Sequence, residues 1–271
     1  MSVSHHPATP STRWFRTSPD SSVLTRPRLL ARSLVDVADL DEHIAFYERL
    51  LGVAADLRMP IPDFGGLELA AVGGLLLIGS SRGEFTPIQR QTAFSLIVPS
   101  LDAQLARLHS SGGGTVLEAP EKILPGARAR VRYWDGNVAE LVEHRPRPGE
   151  RPRPPAMAAA GPPLGPQVSG LRLLARHAVS AETLGDAVRR YESALEAAAE
   201  QRIRLGGPAA AGAVVGNLLL VGSTQAERPE PPRPAFALLA FSAPGERRLN
   251  GPKTVTLDNG VPAEVWEASW H

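Results

Sequence analysis

Apolar and polar residues alternate from Leu29 to Val37, the period of a strand, and the spacing then turns helical at Leu40, Ile44, Tyr47 and Leu51. Asp39 stands at the N-cap position and Gly52 where the helix stops. Three further apolar stretches read as strands: Val53–Met59, Leu67–Val72 and Leu75–Gly79, the last two joined by Gly73-Gly74. The order is βαβββ. It restarts at the strand Thr92–Val98, after which Ser100 caps a helix carrying Leu101, Leu105 and Leu108 and Gly112-Gly113-Gly114 ends it. Strands Thr115–Ala119, Ala127–Trp134 and Val138–Glu143 complete a second unit, with Asp135-Gly136 as a hairpin turn.

The same order recurs later in the chain. Leu29-Leu30-Ala31-Arg32 returns as Leu173-Leu174-Ala175-Arg176 and Tyr47-Glu48 as Tyr191-Glu192. Gly73 to Ser80 returns as Gly216 to Ser223, Ala93-Phe94 as Ala235-Phe236, and Ala139-Glu140 as Ala263-Glu264. Five matches in sequence order mark an internal repeat. The last interval is shorter in the second copy, where Ser242–Pro252 leaves too little chain for a helix and a strand. One helix and one strand are therefore expected to be missing there.

Composition divides the chain further. Proline is abundant, 26 of 271 residues, and concentrates in two places. Residues 1–27 are polar and aperiodic and read as a mobile arm; Arg145 to Pro166, with four arginines among its prolines, reads as a stiff, solvated connector. The expected organisation is an arm at 1–27, a complete domain at 28–144, a Pro/Arg-rich linker at 145–168 and a degenerate domain at 169–271. A formal net charge of +1 offers no long-range attraction to nucleic acid or anionic lipid. Neither is expected as a partner. Only Lys122 and Lys253 are lysines, a bias that suits a GC-rich bacterial genome. With no cysteine there is no thiolate nucleophile and no Cys-ligated metal. No run approaches 18 apolar residues and the N-terminus lacks a secretory apolar stretch, so a cytoplasmic protein is expected.

Asp39-Leu40-Asp41 leading into Phe46-Tyr47-Glu48 and Leu51-Gly52, together with Asp135-Gly136-Asn137 before Ala139-Glu140-Leu141, resembles the glyoxalase/bleomycin resistance/dioxygenase superfamily, also called vicinal oxygen chelate proteins. The resemblance implies an α+β fold in which tandem βαβββ modules form two domains with concave mixed sheets, the second truncated. It also implies, in the enzymes, a divalent metal held from the first and last strands of each module. Carried onto this sequence, the ligand positions fall at Arg32, Leu77, Ala93 and Glu140, and in the second copy at Arg176, Leu220, Ala235 and Glu264. One carboxylate does not hold a cation against water, so no metal and no other cofactor is expected.

By strand alternation the concave face of the first domain presents Arg32, Leu34, Leu75, Leu77, Ala93, Ser95, Ile97, Val138, Glu140 and Val142. Apolar walls with a few orienting polar groups suit a small-molecule pocket, and Arg32, Leu34, Leu77, Ser95, Ile97, Val138, Glu140 and Val142 are its candidate ligand contacts. Alternatively, Arg32 and Glu140 pair with each other and simply tie the strands. The first functional reading is a metal-free protein that binds a small, partly apolar molecule, an antibiotic or natural product among the options. The second is a metal-independent tailoring enzyme with Glu140 as general base and Arg32 stabilising an anion. A pseudo-enzyme interaction module comes third and a metalloenzyme last. A monomer with paired domains and a homodimer both stay open. His5, His6, His43, His109, His144 and His177 match no ligand position and read as surface or packing residues, and Tyr47 and Tyr191 as rings that pack helix on sheet.

Overall fold

The computed structural model describes residues 20–61, 66–81, 84–110, 114–123, 126–146, 170–204, 209–223, 236–241 and 248–269. Strand β1 (Arg28–Asp36) is the hub of a first sheet, and the chain winds two βαβββ units around it. The first unit continues through α1 (Leu40–Leu51), β2 (Ala55–Ile61), β3 (Leu67–Val72) and β4 (Leu75–Ser80). A short helix α2 (Pro87–Gln91), with a capping box between Thr86 and Gln89 that the apolar pattern does not show, leads into the second unit. That unit is β5 (Thr92–Ile97), α3 (Leu101–Ser110), β6 (Gly114–Ile123), β7 (Gly126–Tyr133) and β8 (Val138–Glu143). The sheet order is β2-β3-β4-β1-β5-β8-β7-β6, with β1 parallel to β4 and antiparallel to β5.

The second sheet follows the same plan. Strand β9 (Leu171–Ser180), α4 (Leu184–Leu195), β10 (Ala199–Arg204), β11 (Ala209–Val215) and β12 (Leu218–Ser223) form one full unit. Strands β13 (Phe236–Phe241), β14 (Arg248–Thr256) and β15 (Pro262–Ser269) form a reduced one, in the order β10-β11-β12-β9-β13-β15-β14. That is the first order less its outermost strand. Among the described residues no helix separates β13 from β14. The fold is α+β, two curled mixed sheets of eight and seven strands.

Local devices repeat with the strands. Glu48 Oε1 accepts from the Ala55 amide at 2.8 Å, and Glu192 Oε1 from the Ala199 amide at 2.7 Å. Arg28 pairs with Asp56, as Arg172 pairs with Glu200. At the start of α1 the structure corrects the expected cap: Asp39 makes no side-chain cap bond, and Asp36 instead accepts from the Ala38 amide in a 3-10 turn that feeds the helix. Gly52 closes that helix at φ 67°, the left-handed conformation that favours glycine.

One face of each sheet meets the other half of the molecule. Leu29, Ala31, Leu77, Phe94 and Leu96 share a continuous core with Leu173, Leu220, Phe236 and Leu238, and α1 and α4 contribute Tyr47, Leu51, Tyr191 and Leu195. Each such side chain contributes about 1.5–3 kcal/mol on burial, so the apolar term holds the halves together. Polar contacts then fix the alignment. Tyr191 Oη donates to Asp135 Oδ2 at 2.7 Å and accepts from Asn137 Nδ2 at 3.0 Å, and His177 Nε2 lies 2.9 Å from Asp135 Oδ2. On the opposite side His43 Nδ1 lies 3.2 Å from Asn259 Nδ2, and the Tyr47 ring meets Phe236 edge-on at 6.2 Å. Each half thus lays a helix tyrosine beside the other half.

Burial alone would raise the Asp135 carboxyl, but His177, Tyr191 and the Asn137 amide outweigh it and hold it below its ordinary 3.8. A depressed carboxyl adds stability that is fully present above its unfolded value and is lost as pH falls through the lower folded one. Asp135→Asn should therefore flatten the acid limb of melting temperature against pH, below about pH 4. An unchanged limb would mean that this contact contributes nothing to joining the halves.

Residues 20–27 do not behave as the mobile arm expected of them. Ser21 Oγ donates to the Val98 carbonyl at 2.6 Å, the Ser21 amide to the His144 carbonyl at 3.0 Å, and Leu24 is buried on the first sheet. Free carbonyls just past the ends of the neighbouring strands β5 and β8 captured what composition alone suggested would be loose. The remainder of the expected arm, residues 1–19, and linker residues 147–169 lie outside the described residues, as do His5 and His6. No helix among the described residues is long and apolar enough to cross a membrane.

Candidate functional site: the concave face of the first sheet

Register decides which side chains share the concave face. Arg32 stands opposite Leu76 and Leu34 opposite Ile78, while Ser95 stands opposite Glu140 and Ile97 opposite Val142. Directly paired residues point the same way. The apolar part of the face gathers Leu30, Leu57, Ala71, Leu76, Ile78 and Ile97, all buried, with Leu34, Leu67, Leu69 and Phe85 partly exposed around them. Val138 and Val142 flank Glu140 on β8 by alternation.

Three residues expected on this face are elsewhere, the candidate contact Leu77 among them. Leu77 lies on the opposite face, fully buried in the main core opposite Ser33 and Ala70, and Leu75 goes with it. Ala93 also packs against the main core, because a bulge between Thr92 and Phe94 shifts the start of β5. The positions that face Arg32 and Glu140 are Leu76 and Ser95. Leu75-Leu76-Leu77-Ile78 is apolar at every step, so its sequence carries no phase, and a slip of one residue exchanges the faces.

The charged part of the face is built on Glu140. Its Oε2 accepts from Arg32 Nη1 at 2.8 Å, and its Oε1 accepts from Arg130 Nη2 at 3.1 Å and Arg128 Nη1 at 3.3 Å. Ser95 Oγ accepts from Arg32 Nη1 at 3.2 Å. Arg130 Nη1 reaches Glu118 Oε1 at 2.7 Å, and Arg128 pairs with Glu121. The side chains of Arg32 and Arg130 are only 4% and 2% exposed, Glu140 is 16%, whereas Glu118 and Glu121 on the edge strand β6 are 38% and 47% exposed. Burial alone would raise the Glu140 carboxyl; Arg32, Arg130 and Arg128 together outweigh it and hold it below its ordinary value. Burial in turn lowers the Arg32 guanidinium from its usual value, with Glu140 opposing.

Sequence reasoning missed Arg128 and Arg130, although the signal was present. Ala127-Arg128-Ala129-Arg130-Val131 alternates, and Arg130 pairs directly with Glu140 across the hairpin that Asp135-Gly136 forecasts.

The second sheet carries the same central pair and a different surround. Arg176 Nε lies 2.6 Å from Glu264 Oε2, which also accepts from Trp266 Nε1 at 3.2 Å. Trp266 packs among Leu174, Val214, Leu219, Val221, Ala237 and Leu239, none more than 2% exposed. It occupies the place of Val142, two residues past the glutamate. Thr254 faces Glu264 where Arg130 faces Glu140.

These residues do not fit a divalent cation. At the centre of the first concave face a guanidinium stands against one carboxylate, and leucine and serine fill the other two positions. Among the described residues no group of three His, Asp or Glu converges. Glu140 is already held by three cations, which makes it a weak base as well as a poor ligand.

The chain is similar to an uncharacterized protein from Methanosarcina mazei, at 36% identity over 44% of this chain and 92% of that one, with a TM-score of 0.38. Over most of its length it is similar to a triple-substituted 4-hydroxymandelate synthase from Streptomyces coelicolor, at 15% identity, covering 91% of this chain and 94% of that one with a TM-score of 0.47. It is likewise similar to the 2,3-dioxygenase LapB from Pseudomonas sp. KL28, at 16% identity, covering 92% and 93% with a TM-score of 0.46. No family model and no curated protein matches the sequence.

Proposed function

We propose that this chain, by its fold a member of the glyoxalase/bleomycin resistance/dioxygenase superfamily, is a metal-free binding protein that holds one small, partly apolar molecule on the concave face of its first sheet. The observation that carries this reading is the contrast between the two faces. The first leaves Leu34, Leu67, Leu69 and Phe85 partly exposed beside a charged wall, the mixture that small-molecule sites use. The second is filled by its own Trp266. The state of Glu140 favours binding over proton abstraction, because ionisation is already stabilised by three guanidiniums and little driving force remains for taking a proton near neutral pH.

A neutral fluorescent apolar probe, N-phenyl-1-naphthylamine, tests the reading on the full chain. One saturable site is expected, and Val142→Trp should abolish it by installing the indole that Trp266 supplies in the second sheet. Titration curves that do not change in Val142→Trp would sink the proposal.

A further inference from the structure

Resting on the reading of the first concave face as a binding site, we infer that its ligand carries an anionic group, a carboxylate or phosphate, received by Arg128 and Arg130 with the apolar body lying over the leucine floor. Three guanidiniums converge on the single carboxylate of Glu140, so the inner layer of the wall holds a surplus of positive charge. Among the described residues Glu118 and Glu121 also face these guanidiniums, from outside. These two are well exposed, sit on the outermost strand, and one contact is loose: Arg128 Nη2 lies 3.9 Å from Glu118 Oε2. The glutamate side of each pair is open to solvent, where screening weakens it and a better-placed acceptor can take its place. A second observation points the same way. Arg32 Nε and Arg130 Nε are buried and have no hydrogen-bond partner among the described residues, a cost that an incoming oxygen acceptor relieves.

The second sheet shows that the surplus is not required to hold the central pair. Arg176 and Glu264 form the same contact with Thr254 standing where Arg130 stands. Among the described residues that sheet has an arginine–glutamate pair beside a buried tryptophan, whereas in the first three guanidiniums meet one glutamate beside a partly exposed apolar floor. Guanidinium forks match carboxylate and phosphate oxygens geometrically, which selects an anion and not merely a polar head. Charge and surface together describe an amphiphile with a negative end.

Isothermal titration of the full chain with octanoate, octylammonium and 1-octanol separates the possibilities. Octanoate should bind about tenfold or more tightly than either of the others, the worth of one charge-assisted hydrogen bond. Arg130→Gln should erase that preference. Because Arg130 is buried, Arg128→Gln, at a partly exposed position, is the second variant, and circular dichroism with a cooperative melt establishes that each is folded. Equal affinity for octanoate and 1-octanol overturns the anionic inference and leaves the binding site standing. Octanoate failing to bind while the neutral naphthylamine probe still binds does the same. If all four fail to bind, the site and the inference fall together. Octylphosphate in place of octanoate distinguishes a phosphate from a carboxylate ligand.

Discussion

Glu140→Ala should cost about 3–5 kcal/mol of folding stability, because it leaves the buried guanidiniums of Arg32 and Arg130 without their shared counter-charge. For a chain of this size that is a fall of roughly 10 °C in melting temperature. The sign with pH follows from the depressed carboxyl. Its contribution is complete above the ordinary value of 4.5 and disappears as pH falls through the lower folded value, so wild type and Glu140→Gln should converge in acid. The double change Arg32→Met with Glu140→Leu should not recover the loss, since Arg128 and Arg130 remain. In the second sheet, Arg176→Met with Glu264→Gln removes one isolated pair, keeps an acceptor for Trp266 Nε1, and should cost about 1 kcal/mol or less. Urea midpoints at constant m-value give all four numbers. Equal costs for the two double variants would mean that the extra arginines do not bear on Glu140.

Gly74→Ala is the other large effect expected, above about 3 kcal/mol. A Cβ at Gly74 would stand 2.3 Å from the Leu173 carbonyl oxygen, backbone against backbone across the two halves, so either β4 or β9 must move. Asn217 fills the corresponding place in the repeat and its Nδ2 donates back to the Leu29 carbonyl at 3.3 Å. One side of the junction needs the absence of a side chain and the other uses a side chain as a tie. Gly136→Ala is the control. Its Cβ would meet nothing within 4 Å, and only the φ of 86° opposes it, a local strain of about 1 kcal/mol. Thermal melts of the two variants should differ clearly; similar small shifts would show that the halves do not touch at Gly74.

The strands of the first sheet were legible because apolar runs, helical spacing and glycine stops all agree from Leu29 to Glu143. The meeting of Arg32 with Glu140 was legible because both fall where the superfamily resemblance puts the converging side chains of the first and last strands. Leu77 was misplaced because β4 is leucine or isoleucine throughout its first four residues, and only pairing with β1 sets its phase. The contacts of Tyr191 with Asp135 and of Gly74 with Leu173 join residues about 56 and 99 positions apart in different halves of the chain. No local period records such a meeting. Asp39 looked like a cap because the residue type is right; the 3-10 turn that puts Asp36 there instead depends on how β1 ends.

The reciprocal placing of Tyr191 beside Asp135 and Tyr47 beside Phe236 has the form of a twofold axis inside one polypeptide. In an assembly of identical subunits every substitution appears twice, and an axis of this kind must stay symmetric. Here each side of the axis is encoded separately, so one side can specialise while the other preserves the frame. Trp266 illustrates the outcome: an indole that a true dimer would carry on both faces stands on only one. Separate encoding of this kind is open to a single polypeptide and closed to a homodimer, and here it gives the second concave face a buried indole where the first has Val142.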